Sequence, residues 1–81
     1  MNLYFERSNG EMLLVSSEAT EENVLRMISA DVKKRNSKFK IHYFRCTKLT
    51  KGFCYDIGSH SEFYWLTTDK FERYPKESNN D

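Results

Sequence analysis

The residue types that hydrolytic enzymes use are concentrated in one short part of the chain. They are Arg45, Asp56, Ser59, His60, Ser61 and Glu62, with Tyr43, Tyr55 and Tyr64 close to them in sequence. A nucleophilic serine needs a strained turn, a base within hydrogen-bond reach and an oxyanion hole. Gly58-Ser59-His60 does not have the G-x-S-x-G spacing of such a turn. The sequence therefore predicts a protein that is not an enzyme.

Two interpretations of this stretch remain open. In the first, Asp56, Gly58 and Ser59 form an ordinary turn, because glycine permits a positive φ and short polar side chains bond to nearby backbone N–H groups. In the second, the turn is a recognition tip that contacts a partner. The partner-binding candidates are Arg45, Asp56, Ser59, His60, Glu62 and Tyr64.

Metal and disulfide chemistry have little support in the sequence. His42 and His60 do not stand at the spacing of a zinc site with Cys54 or Asp56, so we predict no metal and no cofactor. Cys46 and Cys54 would face each other if a hairpin turn were centred on Thr50, but cross-strand disulfides are often strained. We predict two free thiols that act as small buried hydrophobic side chains.

The first half of the chain predicts a hairpin followed by one helix. Two strand-like runs, residues 3–7 and 11–15, flank Ser8-Asn9-Gly10, which is typical of a tight turn with positive φ angles. Ser17 or Thr20 is predicted to cap the helix, and Asn36 to end it in a left-handed conformation. The apolar stripe of the helix is predicted to be Val24, Leu25, Ile28 and Val32, bordered by Met27 and Ala30.

The second half predicts three antiparallel strands, at residues 40–47, 53–57 and 62–67, with turns at residues 49–52 and 58–61. The fold class is therefore α+β, ordered ββαβββ, with one amphipathic helix packed on one face of an antiparallel sheet. Phe53, Tyr55 and Ile57 are predicted to face the helix, and Ile41 and Tyr43 of the preceding strand are predicted to lie on the same face. On the last strand, Phe63 with Trp65 and Tyr64 with Leu66 compete for the core, and one pair must point to the other face.

Length and charge limit the organisation of the chain. Its 81 residues suffice for one domain, predicted at residues 1–74, with a frayed polar tail at residues 75–81. The formal net charge is +1, and we find neither a leader at Met1 nor an apolar run that could span a membrane. We expect a protein of the cytoplasm.

A nucleic-acid surface has one set of candidates, the basic residues at and after the helix end: Lys33, Lys34, Arg35, Lys38 and Lys40. Aromatic residues on the strands could stack with bases. Against this, the net charge is almost balanced, and Lys33, Lys34 and Arg35 are also what the negative end of a helix dipole favours.

The segment Asp56-Ile57-Gly58-Ser59-His60-Ser61-Glu62-Phe63-Tyr64, with Tyr43, Arg45 and the Leu3-Tyr4-Phe5-Glu6 opening, resembles small uncharacterised phage and prophage proteins of Gram-positive bacteria. Cys46 and Cys54 depart from the bulkier residues of that family. The resemblance implies a bacterial host cytoplasm and a protein that binds a macromolecule, without implying a mechanism.

Two functions follow from the sequence. The first is a protein-interaction module, possessing an open sheet face or a turn at residues 58–62 that binds a host protein, a defence system or a second copy of the chain. The second is a nucleic-acid-binding accessory protein that uses sheet aromatics and the basic helix end.

Overall fold

The computed structural model describes residues 1–59 and 61–69. Its elements are β1 (Asn2–Glu6), β2 (Met12–Ser16), α1 (Val24–Arg35), β3 (Arg45–Leu49), β4 (Gly52–Asp56) and β5 (Phe63–Thr67). The strands form one antiparallel sheet in the order β2-β1-β5-β4-β3. The ββαβββ order and the α+β class are confirmed. The predicted domain end at residue 74, the tail at residues 75–81 and His60 lie outside the described residues.

The first hairpin turns on Gly10 alone. The Arg7 N–H donates to the Glu11 carbonyl at 2.9 Å, and the Gly10 N–H donates to the Arg7 carbonyl at 2.8 Å. Gly10 has a φ of +91°, whereas no non-glycine residue in the described ranges has a positive φ. The prediction that Asn9 would share the positive φ is therefore wrong, because a three-residue loop needs only one left-handed position.

A reciprocal pair of hydrogen bonds closes the turn that leads into the helix. Thr20 Oγ1 accepts from the Asn23 N–H at 3.1 Å, and Asn23 Oδ1 accepts from the Thr20 N–H at 2.7 Å. This is the reciprocal bonding of a capping box, but the N-cap of α1 is Asn23, whose side chain does not bond to the first turn, so neither predicted cap, Ser17 or Thr20, occupies the N-cap position. At the other end Asn36 is extended, with φ −151°, so the predicted left-handed terminator is wrong. The Asn36 N–H still bonds to the Val32 carbonyl at 2.8 Å.

The buried stripe of α1 differs from the predicted one at two positions. Val24, Ile28 and Val32 are buried, as predicted, but Leu25 is 46% exposed and Asp31 is buried. The reason is geometric: at about 100° per residue, positions 24, 28, 31 and 32 share one face, and position 25 lies at its flank.

One face of the sheet, here called the helix-covered face, forms the core with α1. Tyr64 and Leu66 lie fully buried there beside Leu3, Phe5 and Tyr55. This resolves the competition on β5, and Phe63 and Trp65 project from the opposite face, here called the second face. Phe53 and Ile57 pack on the helix-covered side, as predicted.

The predicted strand at residues 40–47 begins five residues later, at Arg45. Phe39 and Ile41 pack against the core cluster, which draws the chain across the end of the helix before it reaches the sheet edge. The following turn is also shorter than predicted, since Leu49 and Gly52 are paired strand residues. A Cβ on Gly52 would lie 2.0 Å from the Leu66 carbonyl oxygen, so this close approach of strands requires glycine.

The two cysteines do not face each other. Cys46 is opposite Tyr55, while Cys54 is opposite Thr47, so the two thiols project from different faces of the sheet. Cys46 is exposed and Cys54 is half-buried. The prediction that both are buried hydrophobic side chains is therefore wrong for Cys46, because β3 is an edge strand that the helix does not cover.

Within the parts of the chain that the structure describes, we find no helix with the length and apolar character needed to cross a membrane.

Candidate nucleic-acid interface

The second face offers less apolar surface than the sequence suggests. Its register forms two rows across the five strands: Leu14, Tyr4, Trp65, Cys54 and Thr47; and Met12, Glu6, Phe63, Asp56 and Arg45. Tyr4, Glu6 and Met12 are buried, and Trp65 Nε1 donates to Glu6 Oε1 at 2.7 Å. Of the apolar side chains in these rows, Leu14 is the exposed one, at 54%, and Leu49, in a third row with Gly52, Thr67 and Asn2, is 36% exposed.

The turn after β4 has the local bonding of a structural turn. Asp56 Oδ1 accepts from the Gly58 N–H at 2.9 Å, which is an Asx turn. Gly58 has a φ of +94°, the conformation that favours glycine. Ser59 Oγ donates to Glu62 Oε1 at 3.5 Å. Three of the partner-binding candidates, Asp56, Ser59 and Glu62, therefore bond within the turn that carries them.

Tyr64 belongs to the core and not to an exposed rim, which corrects its place among the partner-binding candidates. Its side chain is fully buried, and its hydroxyl donates to Asp31 Oδ2 at 2.6 Å. Arg35 Nε donates to the same oxygen, and the Arg35 guanidinium lies 4.3 Å from the centre of the Phe5 ring. This network attaches the last turn of α1 to β1 and β5.

A small cleft brings the two predicted groups of residues together at the end of α1. Its volume is about 50 Å³, and it is lined by Phe5, Val32, Arg35, Asn36, Phe39, Ile57, Ser59, Glu62 and Tyr64. Pockets for drug-sized ligands are typically about 300–1,000 Å³. The cleft is too small for a substrate, and its Arg35 is already bonded to Asp31.

Two buried tyrosines make the stability of the fold depend on pH in the alkaline range. Burial raises the pKa of Tyr55 from 10.0 to about 12, with a further contribution from its hydrogen bond with Cys46. Burial also raises the pKa of Tyr64, followed by its hydrogen bond to the Asp31 carboxylate. In the unfolded chain these hydroxyls ionise near pH 10, so above that pH the unfolded state holds fewer protons than the folded state.

Stability is therefore expected to fall between pH 10 and 12 by about 1.4 kcal/mol per pH unit for each of the two tyrosines. Urea unfolding of the wild type, Tyr64→Phe and Tyr55→Phe across this range measures the slope. Each substitution should remove about half of the tyrosine contribution. A slope in Tyr64→Phe equal to that of the wild type would contradict this assignment.

The strongest charge feature of the molecule is residues 33–51, here called the basic segment. It contains eight of the thirteen Lys and Arg residues and none of the twelve Asp and Glu residues. All eight basic side chains are exposed. The net charge is therefore close to zero although the positive charges are concentrated in one segment of the chain. The basic cluster predicted from the sequence covers only residues 33–40, and the helix dipole is sufficient to explain its first three members. The signal that this prediction missed is the absence of acidic residues as far as Asp56.

Most cations of the basic segment form no ion pair with the described residues. Arg35 pairs with Asp31, and Lys51 pairs with Asp69 at 3.6 Å. In the described ranges the following have no ion pair: Lys33, Lys34, Lys38, Lys40, Arg45 and Lys48. Unpaired exposed cations that follow one another along a segment without acidic residues create a positive potential that attracts polyanions.

Two of these cations line one groove. It lies between the end of α1 and the chain that follows, has a volume of about 220 Å³, and is here called the lysine groove. Its lining is Ser29, Val32, Lys33, Ser37, Phe39, Lys40 and Ile41. Lys33 comes from the helix and Lys40 from the loop, so the packing of Phe39 and Ile41 on the core places both lysines around one concavity.

Exposed aromatic rings accompany the cations. Tyr43 is 45% exposed and Phe44 is 37% exposed, and the Arg45 guanidinium lies 5.3 Å from the centre of the Tyr43 ring. Cations interleaved with exposed rings are the combination by which proteins bind the backbone and the bases of nucleic acids. The structure thus extends the predicted candidates Lys33, Lys34, Lys38 and Lys40 to Tyr43, Phe44, Arg45 and Lys48.

Metal chemistry has no corresponding geometry in the described residues, where no three His, Cys, Asp or Glu side chains form a group that could hold an ion.

Comparison of the chain with protein-family models, with curated proteins and with solved structures gives no match to any of them.

Proposed function

We propose that this chain is a non-enzymatic protein that binds nucleic acid through the basic segment. The observation that carries the proposal is the acid-free run from Lys33 to Lys51, whose basic residues are all exposed and mostly form no ion pair among the described residues. Phosphate neutralisation supplies most of the affinity of such proteins, and it requires uncommitted Lys and Arg side chains on one surface.

The distribution of the acidic residues supports the same proposal. Glu18, Glu21 and Glu22 precede α1, whereas Lys33, Lys34 and Arg35 lie in its last turn, at the far end of a helix of 12 residues that is about 18 Å long. A polyanion that approaches the last turn of α1 therefore meets its basic side chains at the opposite end of the helix from this acidic cluster. The separation gives the molecule an orientation in the field of a nucleic acid, although its net charge is only +1.

The protein-interaction hypothesis has weaker support from the geometry. It requires an open sheet face, and on the second face Tyr4 and Met12 are buried while Trp65 is hydrogen-bonded to Glu6. The polar residues of the turn after β4 also bond to one another. This hypothesis and the resemblance to phage proteins remain predictions.

The proposal is tested by the salt dependence of binding. We expect fluorescence anisotropy to show a labelled oligonucleotide of about 16 nucleotides binding at low salt, with log K falling linearly against log[salt]. Contacts to four to six phosphates give a slope of about −3 to −4 on a single strand. An absence of binding at about 25 mM salt, where electrostatic association is strongest, would reject the proposal.

A further inference from the structure

The position of Tyr43 is set by the turn after β4. Arg45 is opposite Asp56 at the first pair of the β3–β4 register, and Tyr43 precedes it by two residues. A Cβ on Gly58 would lie 3.6 Å from Tyr43 Cε2 and 3.6 Å from His42 Cβ. The Tyr43 ring therefore lies beside the turn at Gly58, although Tyr43 is outside the strands.

Tyr43 has neighbours on two sides, and much of the residue remains accessible. Its ring lies near the turn at Gly58 and 5.3 Å from the Arg45 guanidinium, and the residue is 45% exposed. Neighbours that limit the rotamers of a ring reduce the conformational freedom that it loses when a flat ligand stacks on it. Arg45, which has no ion pair among the described residues, stands beside it.

We propose that the nucleic acid is single-stranded, and that an unpaired base stacks on Tyr43 while Arg45 contacts an adjoining phosphate. This inference rests on the proposed function and deepens it. In a duplex the faces of the bases are hidden by stacking, so a protein ring reaches a base face only where the strand is unpaired. The lysine groove alone would not distinguish the two forms, because both offer phosphates.

Phe44 and Lys40 continue the same surface. Phe44 directly follows Tyr43 and is 37% exposed. Lys40 lies three residues before Tyr43 and lines the lysine groove. Along the chain from the lysine groove to β3, the cation of Lys40 is followed by the two exposed rings and then by the cation of Arg45. This alternation of charge and ring is how sequence-tolerant single-strand binding is built.

The test compares a single-stranded oligonucleotide with a hairpin duplex of the same composition, for the wild type, Tyr43→Leu and Tyr43→Trp. Tyr43→Leu keeps an apolar side chain but removes the ring, and Tyr43→Trp retains a ring. Leu49→Ala is the matched control, since Leu49 is another exposed apolar residue of the basic segment. Thermal unfolding of each variant verifies that it folds.

We expect the wild type to bind the single strand at least about tenfold more tightly than the duplex, from stacking of one base. Tyr43→Leu should lose about tenfold on the single strand and nothing on the duplex, whereas Tyr43→Trp and Leu49→Ala should bind like the wild type. Equal affinity for both forms, unchanged in Tyr43→Leu, would overturn this inference and leave the proposed function standing. Binding of neither form at low salt would overturn both.

A ligand-side variant keeps the test valid if Tyr43→Leu does not fold. The wild type is titrated with an abasic oligomer, which has the phosphates of the single strand but no bases. Affinity lower than that of the matching oligonucleotide by about tenfold or more supports base stacking. Equal affinity for the two oligomers would overturn it.

Discussion

Reversing the charges of the lysine groove, in the double variant Lys33→Glu with Lys40→Glu, is expected to weaken oligonucleotide binding by about 100-fold or more near 0.1 M salt. Each lysine that neutralises a phosphate contributes about tenfold at this salt concentration through the release of counterions. The new carboxylates add repulsion to that loss. On a single strand the slope of log K against log[salt] should become shallower by about 1.4, which is about 0.7 for each lost contact.

The matched control is Arg7→Glu with Arg26→Glu, which makes the same change in net charge outside the basic segment. Both arginines are exposed, and Arg7 forms an exposed pair with Glu11 whose loss costs at most about 1 kcal/mol. We expect the control to bind within a few-fold of the wild type. If the two double variants weaken binding equally, net charge and not the lysine groove determines affinity, which contradicts the proposed interface.

Asp31→Ala is expected to lower the free energy of unfolding by about 3 kcal/mol. The substitution leaves the fully buried Tyr64 hydroxyl without its acceptor, and an unsatisfied buried hydroxyl costs about 1–3 kcal/mol. It also removes the carboxylate that holds Arg35 over the Phe5 ring. Because Arg35 is partly exposed, water replaces part of that loss, which keeps the effect below that of a fully buried pair.

Urea unfolding of Asp31→Ala, Tyr64→Phe and the double variant forms a cycle that isolates the bond between the two side chains. Tyr64→Phe alone should cost about 1 kcal/mol, because Asp31 retains Arg35 as a partner. The double variant should be more stable than the sum of the single losses implies, since the hydroxyl that lacks an acceptor is then absent. An Asp31→Ala variant with the stability of the wild type would show that the network contributes nothing.

The fold could be predicted from periodicity, because period-2 and period-3.6 patterns report directly which faces are buried. Periodicity could not decide which of two equivalent sets of side chains on a strand faces the helix. Either pair on β5 could have faced the helix, and the selection of Tyr64 depends on Asp31 of α1, which is distant in sequence and reaches its hydroxyl only in the folded chain. An aspartate in a helix is usually exposed, so the sequence predicts Asp31 at the surface. Its burial cannot be predicted without knowledge of the side chains that bond to it.

The candidate interface was only partly predictable. The helix dipole explains the presence of Lys33 and Lys34 as well as a nucleic-acid surface does. These two residues alone therefore could not distinguish between the two explanations. Lys40 joins them because Phe39 and Ile41 leave the sheet and pack on the core, whereas the sequence analysis placed residues 40–47 in a strand. Tyr43 was expected to lie beneath the helix with Ile41, and its exposure follows from the same departure.

The most direct test of the account is an NMR titration of the isotope-labelled protein with a single-stranded oligonucleotide at low salt. We predict that amide shifts change for residues 33–48, with the largest changes at Lys33, Lys40 and Tyr43, and that residues 18–22 do not respond. Saturable shifts confined to Leu14, Phe63 and Trp65 on the second face, with the basic segment silent, would contradict the account and favour an interface on that face.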